Sequence, residues 1–265
     1  MPMSEAFPGC PALIYEGPTA LLTLDRPEKR NALSFAVWRS LPLLIRQAAA
    51  RRETRAIILS GRGGNFAAGA DIGEFDTVMR NRTEARVYVQ VMAAATAAIE
   101  ACPLPVIAMI EGFCIGAGVA LALSCDMRLA ASDARFAVTP AKLGLIYPFA
   151  DSKRLVHAIG ASHAKDLLFT GRTIDAERAL AIGLVDEVAE ASKLAEAVAE
   201  RAALIAEASS WSIMSTKRML CQILDLAGQE SRQTIELFAD GPGGPHYQEG
   251  LAAFKARRKP KFPPR

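Results

Sequence analysis

The sequence contains few of the residues that support metal, disulfide or nucleic-acid chemistry. Its 265 residues include three histidines and five cysteines, and these form neither a CxxC pair nor a zinc-type Cys/His cluster. Basic residues outnumber acidic ones by only 31 to 28, and no long basic run marks a nucleic-acid track. We therefore expect no metal site and no nucleic-acid partner. The scattered, odd-numbered cysteines favour a reduced, cytoplasmic setting.

Long hydrophobic runs are also missing from the sequence. The longest apolar stretch without a charge, residues 112–125, has 14 residues and is interrupted by Gly116 and Gly118, whereas a membrane span needs about 20 residues. No basic segment followed by an apolar one marks a secretory signal. Because 51% of the residues are hydrophobic and 22% charged, we expect a soluble globular protein with a large core and no membrane partner.

Strand and helix patterns alternate along the first 190 residues. Apolar strand patterns at residues 20–24, 56–60 and 105–110 are each followed by a turn and then a helical pattern. Ser34 is a suitable N-cap for the first helix, and Pro42 is expected to kink that helix or delay its start. This alternation predicts an α/β fold.

The C-terminal part of the sequence has a different character. Its patterns are helical, and a break is expected at residues 241–245, which are rich in Gly and Pro. We expect an α/β core over residues 1–190 and a helical region over residues 191–265 that is too small to build a core of its own. The predicted helices of this region cover residues 192–209, 211–226, 230–238 and 249–258.

Two loops rich in small residues follow buried strand patterns. One covers residues 65–72 (Asn-Phe-Ala-Ala-Gly-Ala-Asp-Ile), and the other contains Gly116-Ala117-Gly118 at the start of an apolar helix. Small residues let a ligand approach the backbone, and free N–H groups at such turns favour negative charge. Taken alone, the first loop is better explained as an ordinary strand-to-helix connection, and the second is explained equally well by close helix packing. Together they suggest an oxyanion hole, which needs two converging N–H donors.

The order of motifs along nearly the whole chain resembles the crotonase (enoyl-CoA hydratase/isomerase) superfamily. The similarity includes Leu24-Asp25-Arg26-Pro27, Asn31-Ala32-Leu33, both loops, Phe169-Thr170-Gly171-Arg172 and the tail at residues 249–258. It implies a spiral of ββα repeats with a helical C-terminal trimerisation region, assembled as a homotrimer or homohexamer. It also implies an acyl-CoA substrate and no separate cofactor, because coenzyme A is part of the substrate.

The resemblance also implies roles for individual residues. It places the thioester carbonyl oxygen between the backbone N–H groups of Ala70 and Ala117, which would stabilise an enolate. For the cationic members of the coenzyme A set, a solvated surface position is the alternative. The residues expected to contact coenzyme A are Lys29, Arg30, Ala68, Asp71, Ile72, Phe254 and Arg257.

The sequence departs from the superfamily pattern at two positions for proton transfer. The glutamates that hold a water in the hydratases correspond to Ala120 and Pro140, which carry no ionisable group. Because such groups contribute about 10²–10⁴ each in rate, hydration by that pair is not expected. Residues 136–147 resemble methylmalonyl-CoA decarboxylases, and loss of CO₂ gives an enolate without a base. A malonyl-type decarboxylase and a CoA-thioester-binding protein with negligible turnover are therefore alternatives to a hydratase or isomerase.

Tyr147 is the side chain with the strongest claim to a catalytic role. It lies where other superfamily members place an acid in the acyl pocket, and a phenol there could orient a carboxylate or protonate an enolate. A packing aromatic with a hydrogen-bonded hydroxyl is the alternative. Other ionisable groups expected near the acyl end are more readily explained as structural or surface charges: Asp71, Glu74, Lys142 and Asp151.

Overall fold

Two β-sheets organise the part of the chain that the computed structural model describes, residues 9–224 and 244–263. The larger sheet contains, in spatial order, β1 (Ala12–Glu16), β2 (Thr19–Leu24), β3 (Ala56–Gly61), β4 (Val106–Ile110), β6 (Met127–Ala131) and β9 (Glu187–Ala189). The smaller sheet contains β5 (Phe113–Ile115), β7 (Arg135–Ala137) and β8 (Ile174–Asp175). Since β4 and β6 lie in one sheet and β5 and β7 in the other, the chain passes repeatedly between them and forms a spiral.

Most neighbouring strands are parallel. Only β1 with β2 and β7 with β8 are antiparallel among the described strands, and the β2–β3, β3–β4, β4–β6 and β6–β9 pairs are all parallel. Parallel strands need crossover connections, which helices supply here. The helices are α1 (Phe35–Ala50), α2 (Phe75–Val78), α3 (Arg82–Glu100), α4 (Ala117–Leu123), α5 (Phe149–Thr170), α6 (Ala176–Ala181), α7 (Leu194–Glu207), α8 (Ser210–Leu224) and α9 (Pro245–Lys255).

The helix α1 begins where its cap predicts. The Ser34 Oγ accepts a hydrogen bond from the Val37 N–H at 3.2 Å, which satisfies one of the free donors at the helix start. The expected kink stays a prediction, but Pro42 lies inside the helix, so the expectation of a delayed helix start was wrong. The apolar face of the helix explains this, because Trp38, Leu41 and other residues around the proline are fully buried and their packing outweighs the lost hydrogen bond.

The C-terminal region is helical in its described parts, as the sequence predicts. The α9 helix begins at Pro245, inside the residues that we expected to form a break, and ends at Lys255 rather than Arg258. Proline is favoured at the first position of a helix, where its missing N–H would have no partner. The predicted helix over residues 230–238 lies outside the described residues. No described helix combines the length and apolar character required to cross a membrane.

The α8 helix is fastened to the sheet by a nearly buried lysine. The Lys217 Nζ donates to the Leu104 carbonyl oxygen at 3.0 Å and to Asp126 Oδ2 at 2.6 Å. The same Asp126 oxygen accepts from the Val106 N–H at 2.7 Å. A C-terminal side chain therefore completes the hydrogen bonding at the first residue of β4.

Candidate active site

Asn31 joins three chain segments at the carboxyl end of β2 and β3. Its backbone is left-handed, with φ of +55°. Its Oδ1 accepts from the Arg26 N–H at 2.9 Å, and its Nδ2 donates to the carbonyl oxygens of Arg62 at 2.9 Å and Asn65 at 2.6 Å. Because the side chain is fully buried, these three bonds hold the loop after β3 in a single arrangement.

Residues 67–71, which follow the part held by Asn31, run between β5 and the segment around Arg30 and bond to both. On one side, Ala67 N–H donates to Phe113 O at 2.8 Å, and Ile115 N–H donates to Ala67 O at 2.9 Å. On the other side, Ala68 N–H donates to the Arg30 carbonyl oxygen at 2.9 Å. Residues 67–71 are thereby fixed against β5, which leads directly into α4.

The second loop turns sharply at Gly116. This residue has φ of +52° and ψ of −108°, a conformation that is accessible mainly to glycine. Its N–H donates to Ala137 O at 2.7 Å, and its carbonyl oxygen accepts from the Ala120 N–H at 3.1 Å. The α4 helix therefore begins at Ala117, directly beside the first loop.

Gly118 sets how closely the two loops approach each other. A Cβ at this position would lie 2.6 Å from Ala67 O and 3.0 Å from Ala67 Cβ, which is closer than carbon atoms pack. Because the Ala67 carbonyl is itself bonded to β5, it cannot move freely. The glycine is thus required for the contact between the loops.

We expect Gly118→Ala to lower the free energy of unfolding by about 1–3 kcal/mol, as overpacking in a closed site does. Urea denaturation provides the measurement. Gly250→Ala in α9 is the matched control, because its added Cβ would meet Phe262 Cε1 at 3.7 Å, an ordinary contact. Both changes gain the same helix propensity, so their difference reports the contact with Ala67. Equal effects of the two substitutions would contradict this account.

The backbone N–H groups of Ala70 and Ala117 have no hydrogen-bond acceptor among the residues described in the structure. Gly69 O accepts from the Leu33 N–H at 2.7 Å. Since no cis peptide bond occurs in this part of the chain, the Ala70 N–H lies at the opposite end of that peptide and points away from Leu33. Backbone donors without a protein acceptor are groups that can bind an oxygen atom carrying negative charge.

The residues expected near coenzyme A are partly engaged with each other. Asp71 Oδ2 accepts from Arg26 Nη2 at 2.8 Å and from Lys29 Nζ at 2.9 Å. Burial alone would raise the pKa of Asp71, but the hydrogen bonds from Lys29 and Arg26 outweigh it and hold this pKa below its usual 3.8. The Arg30 guanidinium lies 5.1 Å from the Phe113 ring centre, and Ile72 is half exposed beside this group.

Tyr147 lies at the second loop and bonds to the backbone there. Its side chain is buried, and its hydroxyl donates to Gly116 O at 3.1 Å. Burial raises the pKa of Tyr147 well above its usual value, with a smaller contribution from the nearby Asp151. The phenol is therefore protonated, and acts as a donor, at neutral pH.

Of the remaining ionisable candidates, Glu74 and Asp151 form hydrogen bonds within the fold. Glu74 Oε2 accepts from the Phe35 N–H at 2.8 Å, and Lys142 is exposed. Asp151 Oδ1 accepts from Arg154 Nη1 at 2.8 Å. Burial raises the pKa of Asp151 to about 6 despite that partner. These contacts are consistent with structural roles for Glu74 and Asp151.

The structure brings most of the predicted site residues to one region. Ala68, Ala70 and Asp71 lie in the first loop, and Ala117 and Tyr147 lie at the second, where Tyr147 bonds to Gly116. The Phe254 side chain lies outside the described part, and no hydrogen bond or ion pair among residues 9–224 and 244–263 joins Arg257 to this region. Within the same ranges, no group of three or more His, Cys, Asp or Glu side chains could hold a metal ion.

Sequence reasoning missed two supporting residues. The sequence motifs that contain Asn31 and Arg26 do not indicate that Asn31 bonds to the loop after β3 or that Arg26 lies beside Asp71. An asparagine before an apolar residue, close to a proline turn, is a weak sign of a left-handed position, but nothing local specifies its partners up to 34 residues away.

The spiral of two sheets, with a glycine turn opening a buried helix beside a second loop, defines a protein of the crotonase class. The model of the enoyl-CoA hydratase/isomerase family matches residues 16–265. The chain therefore belongs to the enoyl-CoA hydratase/isomerase family, as its motifs predict.

Individual relatives agree with this assignment. The short-chain-enoyl-CoA hydratase of Clostridium acetobutylicum is 33% identical over 250 residues, which cover 92% of this chain and 94% of the relative. An enoyl-CoA hydratase/isomerase family protein from Hyphomonas neptunium has a TM-score of 0.94 at 41% identity, covering 96% of this chain and 98% of that one. An enoyl-CoA hydratase/carnithine racemase from Magnetospirillum magneticum has a TM-score of 0.92 at 36% identity, covering 96% and 95%. The predicted α/β spiral with a helical C-terminal region is thereby confirmed.

Proposed function

We propose that this protein binds an acyl-CoA thioester and stabilises its enolate between the N–H groups of Ala70 and Ala117. The observation that carries the proposal is that both donors lack an acceptor in the described part of the chain and lie on adjoining loops. A developing oxyanion gains most from donors that are fixed before the reaction begins, and one such donor is worth about 10²–10³ in rate. Membership of the enoyl-CoA hydratase/isomerase family supports an acyl-CoA substrate.

The coenzyme A part of the substrate belongs to the same proposal. The exposed Ile72 and the cations Lys29 and Arg30, which precede α1 and bond to the first loop, provide a surface for the nucleotide and the pantetheine chain. Lys29 is half exposed although it bonds to Asp71, so it can also meet a phosphate from its open side. The full proposed set is Lys29, Arg30, Ala68, Asp71, Ile72, Phe254 and Arg257.

In the proposed function, this chain differs from a standard hydratase in how protons are transferred. Ala120 is fully buried in α4, and Pro140 opens a short 3₁₀ turn. Neither side chain can give or take a proton. We therefore propose enolate chemistry without a paired-glutamate hydration step. A lyase step that breaks a C–C bond needs no base, whereas an isomerase step would need a base at some other position to carry the proton from C2 to C4.

Decarboxylation of a malonyl-type thioester is the second candidate. It is favoured by the lack of an ionisable side chain at positions 120 and 140, because the C–C bond to the carboxylate breaks and leaves its electron pair on the α-carbon as the enolate. CO₂ departs, and a proton from solvent or a nearby donor completes the product. The two amides would stabilise the same oxyanion in this reaction.

A panel of three thioesters tests these alternatives on the purified full chain. Crotonyl-CoA reports hydration, a 3-enoyl-CoA reports isomerisation and methylmalonyl-CoA reports decarboxylation, with free coenzyme A as the competitor for binding. We expect turnover of the methylmalonyl thioester to exceed hydration by at least about 100-fold, since decarboxylation forms the enolate without a base and each missing acid–base group costs hydration about 10²–10⁴. Turnover of the 3-enoyl thioester as the fastest reaction would identify an isomerase whose base lies at neither position 120 nor 140.

Each other outcome of the panel has a definite meaning. Hydration of crotonyl-CoA as the fastest reaction would contradict the account of proton transfer. Binding of all three thioesters without turnover would identify a CoA-thioester-binding protein. Failure to bind any of them would overturn the proposal as a whole.

Assembly as a homotrimer or homohexamer stays a prediction. Exposed apolar side chains between β7 and the first turn of α5 support an interface there, because a monomer gains nothing from presenting them to water. The most exposed of these are Leu143, Leu145, Ile146 and Phe149.

A further inference from the structure

The two unpaired N–H groups are the far ends of two peptide units whose carbonyls are both held. A trans peptide is planar, so its C=O and N–H point in opposite directions and turn together. The Gly69 carbonyl is held by the Leu33 backbone N–H at 2.7 Å. The Gly116 carbonyl is held by the Tyr147 hydroxyl at 3.1 Å, in addition to the helical bond from Ala120.

The Gly116–Ala117 peptide needs a restraint of this kind. Glycine has more backbone freedom than any other residue, and Gly116 occupies a left-handed φ. Its N–H is fixed by Ala137, but that bond restrains the preceding peptide unit. Apart from the first turn of α4, the Tyr147 hydroxyl is the group among the described residues that restrains the peptide carrying the Ala117 N–H.

The hydroxyl proton of Tyr147 already forms the hydrogen bond to the Gly116 carbonyl oxygen. A tyrosine carries one O–H donor, and here it is directed at the backbone. The side chain is also buried, so a substrate atom would have to displace the Gly116 carbonyl before it could receive that proton. The contact therefore points to an action on the backbone and away from direct proton transfer.

We propose that Tyr147 is a positioning residue, which aims the Ala117 N–H by holding the Gly116–Ala117 peptide from its carbonyl end. This inference rests on the proposed role of Ala117. A hydrogen bond to a carbonyl also polarises the N–H of the same peptide, because hydrogen bonds in a chain strengthen one another. Tyr147 thus both orients and strengthens a donor to the thioester oxygen.

Tyr147→Phe tests the proposal because it removes only the hydroxyl. The direct readout is the carbonyl stretching frequency of a bound, ¹³C-labelled saturated acyl-CoA, measured by difference infrared spectroscopy. In the unmodified protein, hydrogen bonding by the two amides should lower this frequency relative to the thioester in water. We expect Tyr147→Phe to lose a large part of that shift and to lower kcat at least tenfold, with KM and the pH profile little changed.

Tyr15→Phe is the matched control, since both changes remove one phenolic oxygen. The Tyr15 hydroxyl, on β1, donates to the Gln47 carbonyl oxygen in α1 at 3.4 Å. An unchanged carbonyl frequency and kcat in Tyr147→Phe would overturn the positioning role. Loss of one limb of the pH profile would also overturn it, because that result identifies Tyr147 as a direct acid. No frequency shift in the unmodified protein would instead refute the proposed oxyanion site itself.

Discussion

Replacing Ala117 with proline is expected to lower kcat/KM by about 10²–10³-fold while the protein stays folded. Proline has no N–H, so the substitution deletes one proposed oxyanion donor directly. Ala117 is the first residue of α4, where proline is well tolerated. Gly116 before it is not in the helical region, with ψ of −108°, so the usual conflict between proline and a preceding helical residue is avoided.

The measurement is steady-state turnover of the best substrate from the thioester panel, together with thermal unfolding and the Kd of free coenzyme A. Arg82→Pro is the matched control, because Arg82 is the exposed first residue of α3 and follows the extended Asn81. Both variants place proline at a helix start, but only one touches the proposed site. Full activity of Ala117→Pro would refute the role of this amide, and a loss of coenzyme A binding in it would show that the change is not local.

Replacing Asn31 with aspartate is the second change with a large expected effect. It should lower the free energy of unfolding by about 3 kcal/mol or more. The carboxylate can still accept from the Arg26 N–H, but it cannot donate to the carbonyl oxygens of Arg62 and Asn65 that Nδ2 now contacts. A buried group left unsatisfied costs about 1–3 kcal/mol, and a charged one costs more. Aspartate tolerates a left-handed φ as asparagine does, so backbone strain does not contribute.

Urea denaturation measures this loss, and Asn81→Asp is its control. The Asn81 Oδ1 accepts from the N–H groups of Thr83 and Glu84 at the start of α3. Aspartate caps a helix as well as asparagine does, so we expect a change of about 0.5 kcal/mol or less there. A similar small change at Asn31 would show that the loop after β3 does not depend on its three hydrogen bonds.

The long elements could be predicted from the sequence because their burial pattern is local. The strands β2, β3 and β4 lie within one residue of the predicted bounds, and the helix α1 begins directly after its predicted N-cap, Ser34. Their apolar residues recur with a clear period over five residues or more. The strands β5, β7 and β8 were not predicted, because two or three residues are too few to show a period and their pairing depends on distant partners.

The candidate site likewise has parts that could be predicted from the sequence and parts that could not. The two glycine-flanked loops could be found from the sequence, since small residues after buried strands are a local signal. The bond from Tyr147 to Gly116 spans 31 residues and that from Asn31 to Asn65 spans 34. A side chain that bonds to a remote backbone group leaves no mark in the pattern around it, so only the folded chain reveals which peptide Tyr147 holds.

The lysine that joins α8 to the sheet has a consequence for synthesis on the ribosome. The Leu104 carbonyl that Lys217 contacts lies 113 residues earlier in the chain, so β4 emerges long before its last partner. Until α8 leaves the exit tunnel, the Asp126 carboxylate lacks its cationic neighbour. A nascent chain halted before residue 217 should therefore be more easily cut by proteases near Leu104 than the released protein.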